Sequence, residues 1–183
     1  MIPPLFRTPN RTIALLYGAI VAQARDERFY QAYRVPDTVL GRFDLIVLHL
    51  ALVLRRMREG DAALRALARR VFDAFCRDMD HNLREMGISD QGVPRQMRRV
   101  GEAFYGRAQA CDAALGASGE AALARALARN VYAEASEPQV AAALLAAYVR
   151  HAVATLDQQP LADVARGVVR FPEPAAILAP AAE

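Results

Sequence analysis

Lysine and tryptophan are both absent from this chain, and cysteine and histidine are scarce. All 23 basic residues are therefore arginine, set against 20 acidic ones for a net charge of +3. Arginine to the exclusion of lysine, beside abundant alanine, is what GC-rich codons favour. A single arginine thus says little, and a cluster says more. The small net charge is not that of a dedicated DNA-binding domain. No aromatic residues interleave with the arginine clusters, so sequence-specific readout of nucleic acid has no stacking platform. The two cysteines, Cys76 and Cys111, form no CxxC pair and read as buried free thiols in a reducing compartment. His49, His81 and His151 are too scattered to complete a zinc site with them. The run Leu45–Leu54 is apolar except for His49, but it is far shorter than the roughly 20 residues that cross a bilayer.

What is present is a helical composition. Hydrophobic residues make up 54%, much of it alanine, and 183 residues suffice for one domain with a real core. The pattern predicts an all-α, single-domain bundle of about six main helices over 1–167, followed by an irregular Pro/Ala-rich tail over 168–183. Asn10 is placed to cap a helix running from about 11 to 32. Its arginines, apolar segment and Ala22-Gln23-Ala24 imitate a signal peptide. The apolar periodicity continues to Phe29 and Tyr30, so residues 1–24 are expected to be retained. Val35-Pro36-Asp37-Thr38 marks the start of a second helix reaching about Met57, apolar around most of its circumference and expected to be central. His49 is then expected to be buried, neutral and hydrogen-bonded.

Glu59-Gly60-Asp61 is a tight connection to a helix over 62–86. Gly87 should stop that helix in a Schellman ending that brings Leu83 to Ile88. Its polar face carries Asp73, Arg77, Asp80 and Arg84 as a ladder of alternating sign. Pro94 opens a helix to about Leu115 in which Gly101 and Gly106 are costly, and close approach of another backbone would explain them. Gly116–Gly119 precedes a helix over about 119–133, and Ser136-Glu137-Pro138 opens one to about Asp157. Pro160 ends it, 161–166 suits one or two further turns, and Phe171, Ile177 and Leu178 could dock the tail.

Candidate chemistry is thin. Asp78-x-x-His81 is half of a carboxylate-histidine metal motif without its second half. Asp73, Asp78 and Asp80 are one acidic cluster interleaved with arginine, where a magnesium-diphosphate site needs two. No Ser, Cys or His combination has nucleophile spacing. No catalytic residue, metal or cofactor is therefore expected. Arg55-Arg56-x-Arg58 suits a helix C-terminus, whereas Arg95-x-x-Arg98-Arg99 opposes the dipole of a helix N-terminus. The second cluster calls for pairing with Asp90 or for an anionic partner, such as phosphates of RNA or lipid headgroups.

Three segments together carry a family resemblance: Val35-Pro36-Asp37-Thr38 with Gly41-Arg42-Phe43-Asp44 and His49; Phe72-Asp73-Ala74-Phe75 through Asp78, Asp80 and Leu83-Arg84-Glu85-Met86-Gly87; and Val93-Pro94 with Phe104-Tyr105-Gly106-Arg107. Ala128–Tyr132 adds a weaker match. In order and spacing they resemble the ubiquinol–cytochrome c chaperone family, over about residues 15–135. The resemblance implies an all-α, non-enzymatic assembly factor. Mitochondrial members assist newly made cytochrome b of the respiratory bc1 complex and associate with the ribosome and a small partner protein. This chain looks like a bacterial member, expected in the cytoplasm with peripheral contact at the inner face of the cytoplasmic membrane. The polar motif residues Asp37, Arg42, Asp44, Asp73, Asp78, Asp80, Arg84, Glu85, Asp90 and Arg107 then bind a partner or form an ion-pair network between helices. The partner surface is expected at the loop 87–94 with Arg95, Arg98, Arg99, Phe104 and Tyr105, where one of the two aromatics must face outward. A lipid- or quinone-binding helical protein, or an all-α enzyme of unrecognised type, is the alternative. A closed apolar tunnel would favour lipid and an open groove a peptide client.

Overall fold

The central element is α3, Val39–Arg58, on which α1, α4, α5 and α7 all pack. In the computed structural model residues 9–117, 120–133 and 138–178 are described. Around α3 they form α1 (Pro9–Ala24), α2 (Arg28–Gln31), α4 (Ala62–Glu85), α5 (Val93–Gly116), α6 (Glu120–Asn130), α7 (Pro138–Gln158), α8 (Leu161–Ala165) and α9 (Pro174–Leu178), with no strand among them. With α3, six are long, as the sequence periodicity predicts. The structure is all-α and a single domain.

Local chemistry fixes the helix ends. Thr38, not Pro36, begins α3: its hydroxyl accepts from the Gly41 N–H at 3.1 Å, leaving Pro36 in the approach. Arg55, Arg56 and Arg58 lie in the last turn of α3, where the dipole favours cations. Asp61 caps α4 through the Leu64 N–H at 2.8 Å. At the other end the Ile88 N–H reaches the Leu83 carbonyl at 3.1 Å and Gly87 N–H the Arg84 carbonyl at 2.9 Å, with Gly87 at φ 83°. That is the Schellman ending expected from the sequence.

Leu45–Val53 is buried apart from half-covered Ala51, and His49 is fully enclosed. α7 is the one helix among the described residues long and apolar enough to span a membrane. One face of it packs into the core, with Ala142, Leu145, Tyr148, Val149 and Ala152 fully buried.

Three expectations need correction. The first helix ends at Ala24 rather than near residue 32. The Asp26 carboxylate takes the Arg28 N–H at 3.0 Å, which restarts the chain as short α2 and turns Phe29 and Tyr33 fully inward. Gly101 and Gly106 meet no other backbone; a Cβ at either position would touch nothing within 4 Å. The stretch after Val168 is not wholly irregular, since it contains α9, and it is docked as expected. Gln159 holds both the Arg170 N–H (2.9 Å) and its carbonyl (2.6 Å), Tyr33 donates to the Pro174 carbonyl at 2.8 Å, and the Phe171 ring packs edge-on to His49. Ile177 is partly buried against the core. Ser136, Glu137 and the Leu178 side chain lie outside the described residues.

Candidate functional site

α3, α4 and α5 do not close over one another at the end where α3 begins and α4 stops. Between them lies a groove of about 690 Å³. Phe43 and Ile46 of α3, Met79 and Leu83 of α4 and Val100 and Ala103 of α5 line it with apolar surface. At its edge Val39, Leu40 and Met86 are 72%, 49% and 56% exposed, so the groove opens to solvent and is not a closed tunnel. Its lining cations are Arg25, Arg42, Arg99 and Arg107, against Glu85 as the one carboxylate. The helix ends build it: the Thr38 cap starts α3 with Val39 and Leu40 uncovered, and the Gly87 ending leaves Met86 on the rim.

Most motif residues are paired with one another. Arg42 donates to Asp37 at 2.7 Å and lies 5.8 Å from the Tyr30 ring. Arg84 joins Asp80 at 2.7 Å and also Asp90, and His81 meets Glu85 at 3.1 Å. Asp78 accepts the Tyr17 hydroxyl at 2.7 Å, and burial, helped by that bond, raises the tyrosine's pKa. Asp73 and Arg77 complete no ion pair among the described residues. These contacts are local or tie α4 to α1.

One ion pair between motif residues bridges two main helices. Arg107 Nε of α5 lies 2.7 Å from Asp44 Oδ1 of α3, yet the two atoms are out of line for a hydrogen bond, and both are buried. Burial pushes the Asp44 carboxyl up to about 6 despite the guanidinium beside it. Beneath the pair is a cavity of about 20 Å³ lined also by Ala51, Cys111 and Asn130, room for about one water.

The expected partner surface divides. Arg95 and Arg98 are exposed on the outer side of α5, and Arg98 reaches Glu102 at 3.7 Å. Arg99 joins the groove and bonds Gln96 at 3.4 Å. Asp90 pairs with Arg84, not with this cluster. Tyr105 is 64% exposed, but Phe104 is 4% exposed and belongs to the core against Phe72 and Phe75, so it is no surface contact. The thiols are poor nucleophiles: burial raises both, and Cys111 is pushed up to about 12.

The apolar lining was the part missed from sequence. Met79, Leu83 and Met86 recur on the apolar face of α4, where periodicity assigns them to the core. Only the packing reveals that this end of the face is uncovered.

Residues 31–171 match the family described as ubiquinol-cytochrome C chaperone. The chain belongs to that family. It is 28% identical over 142 residues to the ubiquinol-cytochrome-c reductase complex assembly factor 1 of Xenopus laevis, covering 78% of this chain and 70% of the relative. It also superimposes on the crystal structure of the Cbp3 homolog from Brucella abortus with a TM-score of 0.84 and 40% identity, over 96% of this chain and 98% of that one. Every groove residue except Arg25 falls inside the segment that this chaperone family shares.

Proposed function

We propose that this protein is an assembly chaperone of the ubiquinol-cytochrome c reductase (bc1) complex that shields an apolar segment of a newly made membrane subunit, cytochrome b. The observation that carries the reading is the groove of α3, α4 and α5. It presents exposed Val39, Leu40 and Met86 continuous with a half-buried apolar floor, inside the segment shared with the family. An open, apolar, methionine-bearing groove suits an amphipathic or hydrophobic helix of varied sequence. Its role is binding rather than catalysis. The work is placed in the cytoplasm at the inner face of the membrane, where such a segment emerges. Arg95 and Arg98, on the outer side of α5, are the residues assigned to an anionic neighbour such as the ribosome.

Affinity purification in mild detergent tests the client. Cytochrome b should co-elute with the wild type and be lost from Leu40→Asp and Met86→Asp, which place charge on the groove edge without touching the core. Retention of cytochrome b by both variants would move the client elsewhere. Co-elution of lipid or quinone in its place would favour a small-molecule carrier.

A further inference from the structure

Arg107 stands at the junction of two spaces, since it lines both the open groove and the small cavity under Asp44. Its Nε faces Asp44 Oδ1 at 2.7 Å without an aligned hydrogen bond, although both atoms are buried. A buried charged pair that leaves its hydrogen bond unmade holds its cation less well than its distance suggests. The rest of the guanidinium is not enclosed, because the side chain remains 23% exposed and lies 5.6 Å from the Phe43 ring on the groove floor. Around it the groove is one-sided in charge. Arg25 and Arg99 have no carboxylate within ion-pair distance among the described residues, and only Arg42 is matched, by Asp37.

We propose that the apolar segment received by the groove carries an acidic side chain, and that Arg107 is its receptor, exchanging Asp44 for the incoming carboxylate. This rests on the groove being the client site and adds the charge that the client must bring. The exchange is inexpensive on the Asp44 side. Its burial already disfavours the ionised form, so on losing Arg107 it takes a proton and stays buried as a neutral acid. On the Arg107 side the gain is geometric. A carboxylate arriving from the open groove can meet the exposed edge of the guanidinium in the paired, two-bond arrangement that Asp44 does not reach. A lysine-bearing segment would meet the unmatched like charge of Arg25 and Arg99 and be disfavoured.

The test uses the full chain and three fluorescein-labelled, terminally blocked Leu/Ala helical peptides of about 18 residues, long enough to fold as helices. They carry Asp, Asn or Lys at the centre, and anisotropy reads their binding. The wild type should bind the Asp peptide about tenfold more tightly than the Asn peptide and the Lys peptide most weakly, the scale of one charge-assisted pair. Arg107→Gln should bind Asp and Asn peptides alike, and Arg107→Lys should keep part of the preference. Asp44→Asn, which removes the competing carboxylate, should widen it. If the wild type binds Asp and Asn peptides equally, the acidic-client inference fails while the groove reading stands. If it binds none of the three, the groove reading itself fails. Should phosphatidylglycerol vesicles, and not phosphatidylcholine ones, displace the peptide in an Arg107-dependent way, the receptor reads a lipid phosphate and the proposal is overturned. The comparison between peptides on the wild type stands even if an Arg107 variant does not fold.

Discussion

His49 and Tyr148 share a 2.9 Å hydrogen bond whose direction is set by a third atom. His49 Nδ1 lies 2.8 Å from the Leu45 carbonyl, which can only accept, so Nδ1 carries the proton and Nε2 is the acceptor for the Tyr148 hydroxyl. Gln23 Nε2 then donates to Tyr148 at 3.1 Å and to the Pro172 carbonyl at 3.3 Å. One directional chain thus joins α1, α3, α7 and the segment leading to α9. A second proton on His49 would leave Tyr148 without an acceptor, and burial pushes the imidazole down to about 4 from its ordinary 6.5.

This gives the first prediction. The unfolded chain takes up the His49 proton first, so that group's stabilisation is complete above pH 6.5 and is lost as pH falls to about 4. At about 1.4 kcal/mol per pH unit the loss is on the order of 3 kcal/mol. Asp44 works the other way. Its folded value of about 6 lies above its ordinary 3.8, so the cost of its buried charge is relieved as pH falls through that window. The two groups largely offset in the wild type. Urea titrations from pH 7 to 4.5 should show a steeper loss of stability in Asp44→Asn than in the wild type. Equal slopes would mean that Asp44 titrates normally, and a flat profile in Asp44→Asn would mean that His49 does.

Gly101→Ala and Gly106→Ala should each stabilise the protein, by about 0.5–1 kcal/mol. Both glycines are inside α5, and a Cβ at either meets nothing within 4 Å. Denaturation midpoints with an unchanged slope would check this. Gly87→Ala should do the opposite, because Gly87 sits at φ 83°.

Gly41→Ala should be among the more harmful single changes. Its Cβ would fall 2.0 Å from the Pro36 carbonyl oxygen, so the loop must back away from the first turn of α3. That breaks the Thr38 cap and displaces Val39 and Leu40 from the groove edge. A loss of about 1–3 kcal/mol in stability should accompany weaker retention of client. A variant as stable as the wild type would show that the loop yields freely.

Which parts of this fold were readable in advance follows from where the information resides. The Schellman ending at Gly87 and the burial of Leu45–Leu54 are local patterns, written in one glycine and one apolar run, and both are present, with only Ala51 and Leu54 half-covered. The break after Ala24 was not legible, because Phe29 and Tyr30 continue the apolar periodicity across it. The Asp26 side chain decides it by bonding Arg28 two residues on. Tyr105 facing outward follows from helical geometry, but which of Phe104 and Tyr105 is buried depends on Phe72 and Phe75 of α4. The groove is the extreme case. Its apolar residues come from three helices and resemble core positions, so only the uncovered end of the bundle distinguishes them.

The last prediction separates the groove from the basic side of α5. Arg95 and Arg98 project outward, and among the described residues their one ion pair is the 3.7 Å contact from Arg98 to Glu102, while Arg99 lines the groove. Exposed pairs of this kind contribute little to folding, so the Arg95→Ala/Arg98→Ala double variant should melt as the wild type does. Cationic groups of this kind act through the electrostatic attraction of an anionic partner, which salt screens. Ribosome co-sedimentation of the wild type should fall steeply with added salt, and that of the double variant should be weak and nearly insensitive to it. Cytochrome b retention, once formed, should survive in the double variant and weaken in Arg99→Ala, which changes the groove lining alone. A double variant that sediments with ribosomes as the wild type does would remove Arg95 and Arg98 from the partner surface. One that loses both ribosome and client together would mean that client loading depends on the ribosome contact, not on the groove acting by itself.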